Sequence, residues 1–127
     1  EYALVPHRGT WEGAFQEAHY LNEPLRVIQV EPKKGELPPE LSWIEVKPQL
    51  LIVSSIKLAD RGDGIVVRIY NPSERLVEGT CSLAFRAQRA SFVDLNEDVI
   101  TGTTMDRDGK VVLDVKPKAI VSILYEY

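Results

Sequence analysis

Asp60-Arg61-Gly62-Asp63-Gly64-Ile65-Val66-Val67-Arg68-Ile69-Tyr70-Asn71-Pro72-Ser73 is the stretch that decides how this chain folds. Ile65 to Tyr70 is rich in β-branched side chains and lies between two clusters of Gly, Asp, Asn, Pro and Ser. β-Branched residues suit a pleated surface, whereas Gly and Asx residues accept the backbone angles of tight reversals. The stretch therefore predicts turn, strand, turn. Alternation puts Ile65, Val67 and Ile69 on one face of that strand.

The same pattern repeats outward from this stretch. Leu41 to Val46, Leu50 to Leu58, Leu76 to Phe85, Ser91 to Leu95, Lys110 to Val115 and Ala119 to Tyr125 are further candidate strands, and Asp106-Arg107-Asp108-Gly109 is a further turn. Val77, Cys81, Leu83 and Phe85 share a face; so do Val111, Leu113 and Val115, and so do Val121, Ile123 and Tyr125. These sets and the Ile65 set are expected to meet in one core. Short strands at this spacing predict a mainly β fold, an antiparallel β-sandwich over Leu41 to Tyr127.

A different pattern precedes the strands. Tyr2 to Val5 is extended and stopped by Pro6, and Gly9-Thr10 offers a turn and an N-cap hydroxyl, so one short helix is expected to begin at Trp11. Trp11, Ala14, Phe15, Ala18 and Leu21 form its apolar stripe, and Asn22 and Pro24 end it. Leu25 to Val30 resumes an extended apolar pattern, and Glu31 to Pro39 is too rich in Pro and Gly for regular structure. Tyr2 to Val30 thus reads as a helix-containing opening segment, and residues 1–127 as a single domain.

Composition narrows the functional classes. The chain is 44% apolar and 27% charged, ordinary for a globular protein. Its net charge is −4, and no Lys or Arg stripe follows a phosphate backbone, so nucleic acid is not an expected partner. No apolar run approaches the ~20 residues that cross a bilayer, so no membrane association is expected either. Cys81 is the only cysteine, which suits a reduced compartment, and a cytoplasmic location is the expectation. Glu1-Tyr2-Ala3-Leu4 has neither an initiator Met nor signal-peptide character and reads as a cut end.

Each candidate for chemistry has a plainer reading beside it. Arg61-Gly62-Asp63 matches a cell-adhesion tripeptide but sits where two strands must reverse. Asp94, Asn96 and Asp98 have the spacing of a calcium loop, yet Val99 and Met105 stand where that loop needs Gly and Glu. His7 and His19 have no Cys or second His at zinc spacing, so no metal site is expected. Cys81 falls on an apolar face with no base beside it, and the carboxylate pairs Glu12 with Glu17 and Asp60 with Asp63 read as solvated charge. No catalytic residue is assigned. Trp11, Trp43 and Tyr70 could stack on a sugar; Trp11 belongs to the helix stripe, which leaves Trp43 as the candidate substrate-binding residue.

Three blocks carry a family resemblance. Tyr2-Ala3-Leu4, Pro6-His7, Gly9, Trp11 and Asn22-x-Pro24-Leu25 form the first. Ile56-Lys57-Leu58-Ala59, Asp63-Gly64-Ile65 and Arg68-x-Tyr70-Asn71-Pro72 form the second, and Val93-Asp94-Leu95-x-Glu97 with Pro117-x-x-Ile120 the third. In order and spacing they resemble the C-terminal β domain of glycoside hydrolase family 38 α-mannosidases, over nearly the whole chain. The resemblance implies a retaining enzyme that hydrolyses α-mannosides with an Asp nucleophile and a divalent metal, usually zinc. It places those groups in a catalytic portion upstream of this chain, which would be this domain's partner. The domain itself is then expected to be structural, without activity or cofactor of its own. The competing expectations are a carbohydrate-binding β-sandwich module and a protein interaction module of unrelated ancestry.

Overall fold

The computed structural model describes residues 2–127. They form two compact units, Glu1–Leu37 and Pro38–Tyr127, divided inside the Pro- and Gly-rich stretch Glu31 to Pro39.

The first unit holds a 3-10 turn, Trp11–Gly13, and the helix α1, Phe15–Asn22. The continuous helix expected from Trp11 is corrected here. Gly13 falls in what would be its first turn, and glycine costs about 1 kcal/mol relative to alanine inside a helix. The backbone makes one tight turn, closed by the Gly13 N–H on the Thr10 carbonyl at 3.1 Å, and starts again after Ala14. Thr10 has the extended backbone of an N-cap, but its hydroxyl makes no capping bond. The helix ends at Asn22, as the sequence predicts. Leu25 to Val30 belongs to no strand.

The second unit is an antiparallel β-sandwich. Its strands are β1 (Ile44–Lys47), β2 (Ile52–Leu58), β3 (Gly64–Tyr70), β4 (Val77–Leu83), β5 (Arg89–Val93), β6 (Val99–Thr103), β7 (Val111–Val115) and β8 (Ile120–Glu126). One sheet has the order β1-β4-β7 and the other β2-β3-β8-β5-β6. Seven strands match the expected segments to within a few residues. β6 is an addition, at the open edge of the larger sheet.

The four predicted sets do meet. Val67, Ile69, Val77, Cys81, Leu83, Val111, Leu113, Val115, Ile123 and Tyr125 are buried in one core, with Ile65, Phe85 and Val121 packed against it. The register explains how: Ile65, Val67 and Ile69 stand beside Tyr125, Ile123 and Val121, so two neighbouring strands present one apolar face. Two polar features fasten this core. Tyr125 donates its hydroxyl to the Cys81 carbonyl at 3.2 Å, across from one sheet to the other. Gly79, between Val77 and Cys81, leaves room for Leu51 and for the Lys47 carbonyl, which would lie 2.6 Å from an added Cβ.

Asn71-Pro72-Ser73, read as a turn, carries the chain from the larger sheet to the smaller one. Asn71 is fully buried there. Its amide nitrogen lies 2.7 Å from the Arg75 carbonyl, 2.9 Å from that of Val115 and 3.1 Å from that of Lys116, and its oxygen accepts from the Ser73 N–H and hydroxyl. One side chain thereby satisfies carbonyls in two inter-sheet connections.

Candidate functional site

Three strands cannot cover five. Strands lie about 4.8 Å apart, so the larger sheet overhangs the smaller by roughly 10 Å in total, and inward-facing residues of its outer strands lose their cover. Ile56 and Leu58 stand beside Val67 and Ile65 on the core side of β2, yet both are exposed.

Trp43 lies on this flank, just before β1, and is 55% exposed. The Ala84 N–H donates to the Trp43 carbonyl at 3.0 Å and fixes its backbone. A cleft of about 580 Å³ runs between Leu41, Trp43, Ile44, Ile56, Ile65 and Phe85. Apart from the indole N–H, the polar side chain lining it is Ser42, whose hydroxyl donates to the Ile44 carbonyl at 2.9 Å. On the opposite flank a second cleft, of about 450 Å³, is lined by Phe92, Ile100, Val112, Ile120 and their neighbours. Both flanks are built mainly of apolar side chains, the second with Thr101, Asp114 and Ser122 among them.

Trp43 is therefore where the sequence predicts it, at the surface, but it has no aromatic partner from the proposed platform on its own unit. Tyr70 ends β3, about 16 Å along the strand from the Ile65 that lines the Trp43 cleft. Trp11 belongs to the first unit, where its ring meets Phe15 edge-on at 5.9 Å.

The other candidate groups serve the fold. Arg61-Gly62-Asp63 forms the β2–β3 reversal, with Gly62 at φ +74° and Arg61 paired to Asp98 at 3.2 Å. Asp94 turns its carboxylate onto the N–H groups of Asn96 and Asp98, at 2.8 and 3.0 Å, capping its own loop. Cys81 is buried, and burial pushes its thiol up, away from the reactive thiolate. Asp60 pairs with Lys57, not Asp63. Among the described residues, no three His, Cys, Asp or Glu side chains gather closely enough to hold a metal ion.

One constellation was not legible beforehand. Lys57, Arg68 and Glu97 come from separate strands and loops and meet on the outer face of the larger sheet. The Glu97 side chain is only 5% exposed; its carboxylate accepts from the Lys57 ammonium and from the Asp60 N–H, and lies 3.9 Å from the Arg68 guanidinium. Arg68 also donates to the Leu95 carbonyl at 3.0 Å. Glu97 sits at φ +68°, a strained region for a residue with a side chain, and these bonds hold it there. The cluster closes the β5–β6 loop over Val66, Val93 and Leu124, which pack together beneath.

This cluster sets an acid response. The Asp60 N–H and then the Lys57 ammonium hold the Glu97 carboxyl below the usual carboxylate range, while Asp60 and then Glu97 raise Lys57. A lowered carboxyl stabilises the fold above its unfolded pKa, and that contribution is lost as pH falls through the folded value. A raised ammonium contributes below its unfolded pKa and is lost as pH rises through the folded one. The cluster is at full strength between about pH 5 and 10. Glu97→Gln is expected to lower Tm at pH 7 by about 4–8 °C, the effect of about 1 kcal/mol in a domain of this size, since the partly exposed Lys57 weakens the charge-assisted bond by solvent screening. It should also flatten the fall in Tm between pH 7 and 3. Parallel Tm curves for the variant and the parent would show that Glu97 does not carry the response.

Comparison with known proteins agrees with this architecture. Residues 50–123 match the family described as the glycosyl hydrolases family 38 C-terminal beta sandwich domain. Over 130 aligned positions the chain is 25% identical to a protein of Halalkalibacterium halodurans named "Putative mannosylglycerate hydrolase". That alignment takes in 99% of this chain and 14% of the relative, so the chain spans about one-seventh of the relative's length.

Proposed function

This chain belongs to the glycosyl hydrolase family 38 C-terminal β-sandwich family, and from that premise we propose that it is a non-catalytic structural domain of a longer enzyme that hydrolyses α-mannosides. The observation that carries this reading is the pair of largely apolar flanks where the larger sheet overhangs the smaller. Burying such surface against another body stabilises both, at roughly 25 cal/mol per Å² removed from water. The polar clusters of the sandwich, at Asn71, Asp94 and Glu97, are engaged in holding its own connections. A sugar-binding surface needs free hydrogen-bonding groups beside its aromatic ring, and the Trp43 cleft is poor in them. That favours packing over glycan binding. The relative's name and the small fraction of its length matched here support a hydrolase whose catalytic groups lie in a portion outside this chain.

The test uses the longer polypeptide with an aryl α-mannoside. Removing residues 38–127 is expected to lower kcat at least about 100-fold, the effect of a displaced catalytic wall. Trp43→Ala should lower Tm while leaving KM unchanged. Full activity in the truncated form would overturn the structural role. If instead the 127-residue chain binds methyl α-mannoside saturably and loses this with Trp43→Ala, the domain is a carbohydrate-binding module.

A further inference from the structure

Leu25-Arg26-Val27-Ile28-Gln29-Val30 has the composition of a strand without the pairing of one. The chain leaves Leu25 97%, Val27 94%, Ile28 80% and Val30 77% exposed. No regular pairing ties this segment to any strand among the described residues. Its length and limits are those of a strand: six residues between Pro24 and Glu31-Pro32, where proline stops a ladder at either end. In extended backbone Leu25 and Val27 point to one side with Gln29, and Ile28 and Val30 to the other with Arg26, so each face carries two aliphatic side chains and one polar one. A strand with aliphatic side chains on both faces belongs inside a sheet covered on both sides.

The rest of the first unit shows the same deficit. None of its described residues is buried. α1 and the chain before it shape an open apolar groove of about 290 Å³, lined by Val5, Trp11, Phe15, Leu21 and their neighbours. The family match begins only at residue 50, whereas the alignment with the longer relative takes in nearly the whole chain. The unpaired segment thus lies outside the matched sandwich and inside the region shared with a protein about seven times longer.

We propose that Leu25–Val30 is an inserted strand: it pairs with an open sheet edge in the portion of the polypeptide outside this chain, and α1 caps the junction. The occupant is a backbone edge with apolar layers above and below, recognised by main-chain hydrogen bonds and by alternate side-chain pockets. This rests on the reading of the chain as part of a longer enzyme.

Hydrogen exchange followed by mass spectrometry tests it on the 127-residue chain and on the longer polypeptide. The expected result is rapid exchange of the segment's amides in the short chain and exchange at least about 100-fold slower in the long one, since pairing makes exchange wait for opening. Ile28→Asp should lower Tm of the long polypeptide and leave that of the 127-residue chain unchanged. Rapid exchange in both overturns the proposal. Slow exchange in both overturns it too, because the pairing strand then lies within this chain or a second copy of it. Slow exchange in the long polypeptide without α-mannoside hydrolysis leaves the inserted strand standing and removes the enzymatic reading instead.

Discussion

Asn71→Ala is expected to cost the sandwich about 3–5 kcal/mol, a large part of the stability of a small domain. The substitution strips the amide donor from the buried Val115 carbonyl and the part-buried Lys116 carbonyl, and the acceptor from the buried Ser73 N–H, at once. Each such group keeps its desolvation penalty without a replacement for the bond. Asn71→Asp separates donors from shape: it is nearly isosteric and keeps the acceptor for Ser73, but it turns a negative charge toward the carbonyls. It should be at least as harmful as alanine. Ser73→Ala, which removes one hydroxyl, should cost about 1 kcal/mol. Urea unfolding gives all three values, and a loss below about 1 kcal/mol for Asn71→Ala would mean that the connections hold without their tie.

Gly79→Ala is expected to cost about 3 kcal/mol, at the upper end of overpacking effects. The new methyl would meet the Leu51 side chain and lie 2.6 Å from the Lys47 carbonyl oxygen. A side chain can rotate away; a carbonyl on the paired neighbouring strand moves only with its strand. Leu51→Ala alone should cost about 2–5 kcal/mol, as a cavity in the core. The double substitution should cost clearly less than the two losses added, because the methyl occupies part of the space the leucine leaves. Strict additivity would show that Gly79 and Leu51 do not compete for that space.

The core was legible because strands buried on one side announce themselves by alternation, as Val111, Leu113 and Val115 do. β6 was not: Val99-Ile100-Thr101-Gly102-Thr103 forms an edge strand whose residues are mostly exposed, so no buried face imposed a pattern. The helix start was misplaced because the Thr10 cap signal and the Trp11 stripe pointed one way and Gly13 the other, and local propensity won. Trp43 was reached by elimination, as the aromatic left once Trp11 was given to the helix stripe. The Lys57–Glu97 pair spans 40 residues, and only the fold brings its members together. The resemblance had already touched Lys57, Arg68, Asn71 and Glu97; the structure supplies the reason, since each ties down a connection between strands.

β8 comes last of the eight strands along the chain yet stands third of five across its sheet. Until residues 120–126 are available, β2–β3 and β5–β6 are two hairpins with no strand between them. Each shows a bare edge and an apolar face to solvent, and β8 is the strand that joins them. The sheet closes in one late event, when Gly64 meets Glu126 on one side of the newcomer and Arg89 meets it on the other. Such long-range closure is slow and leaves the nascent chain open to aggregation until it happens.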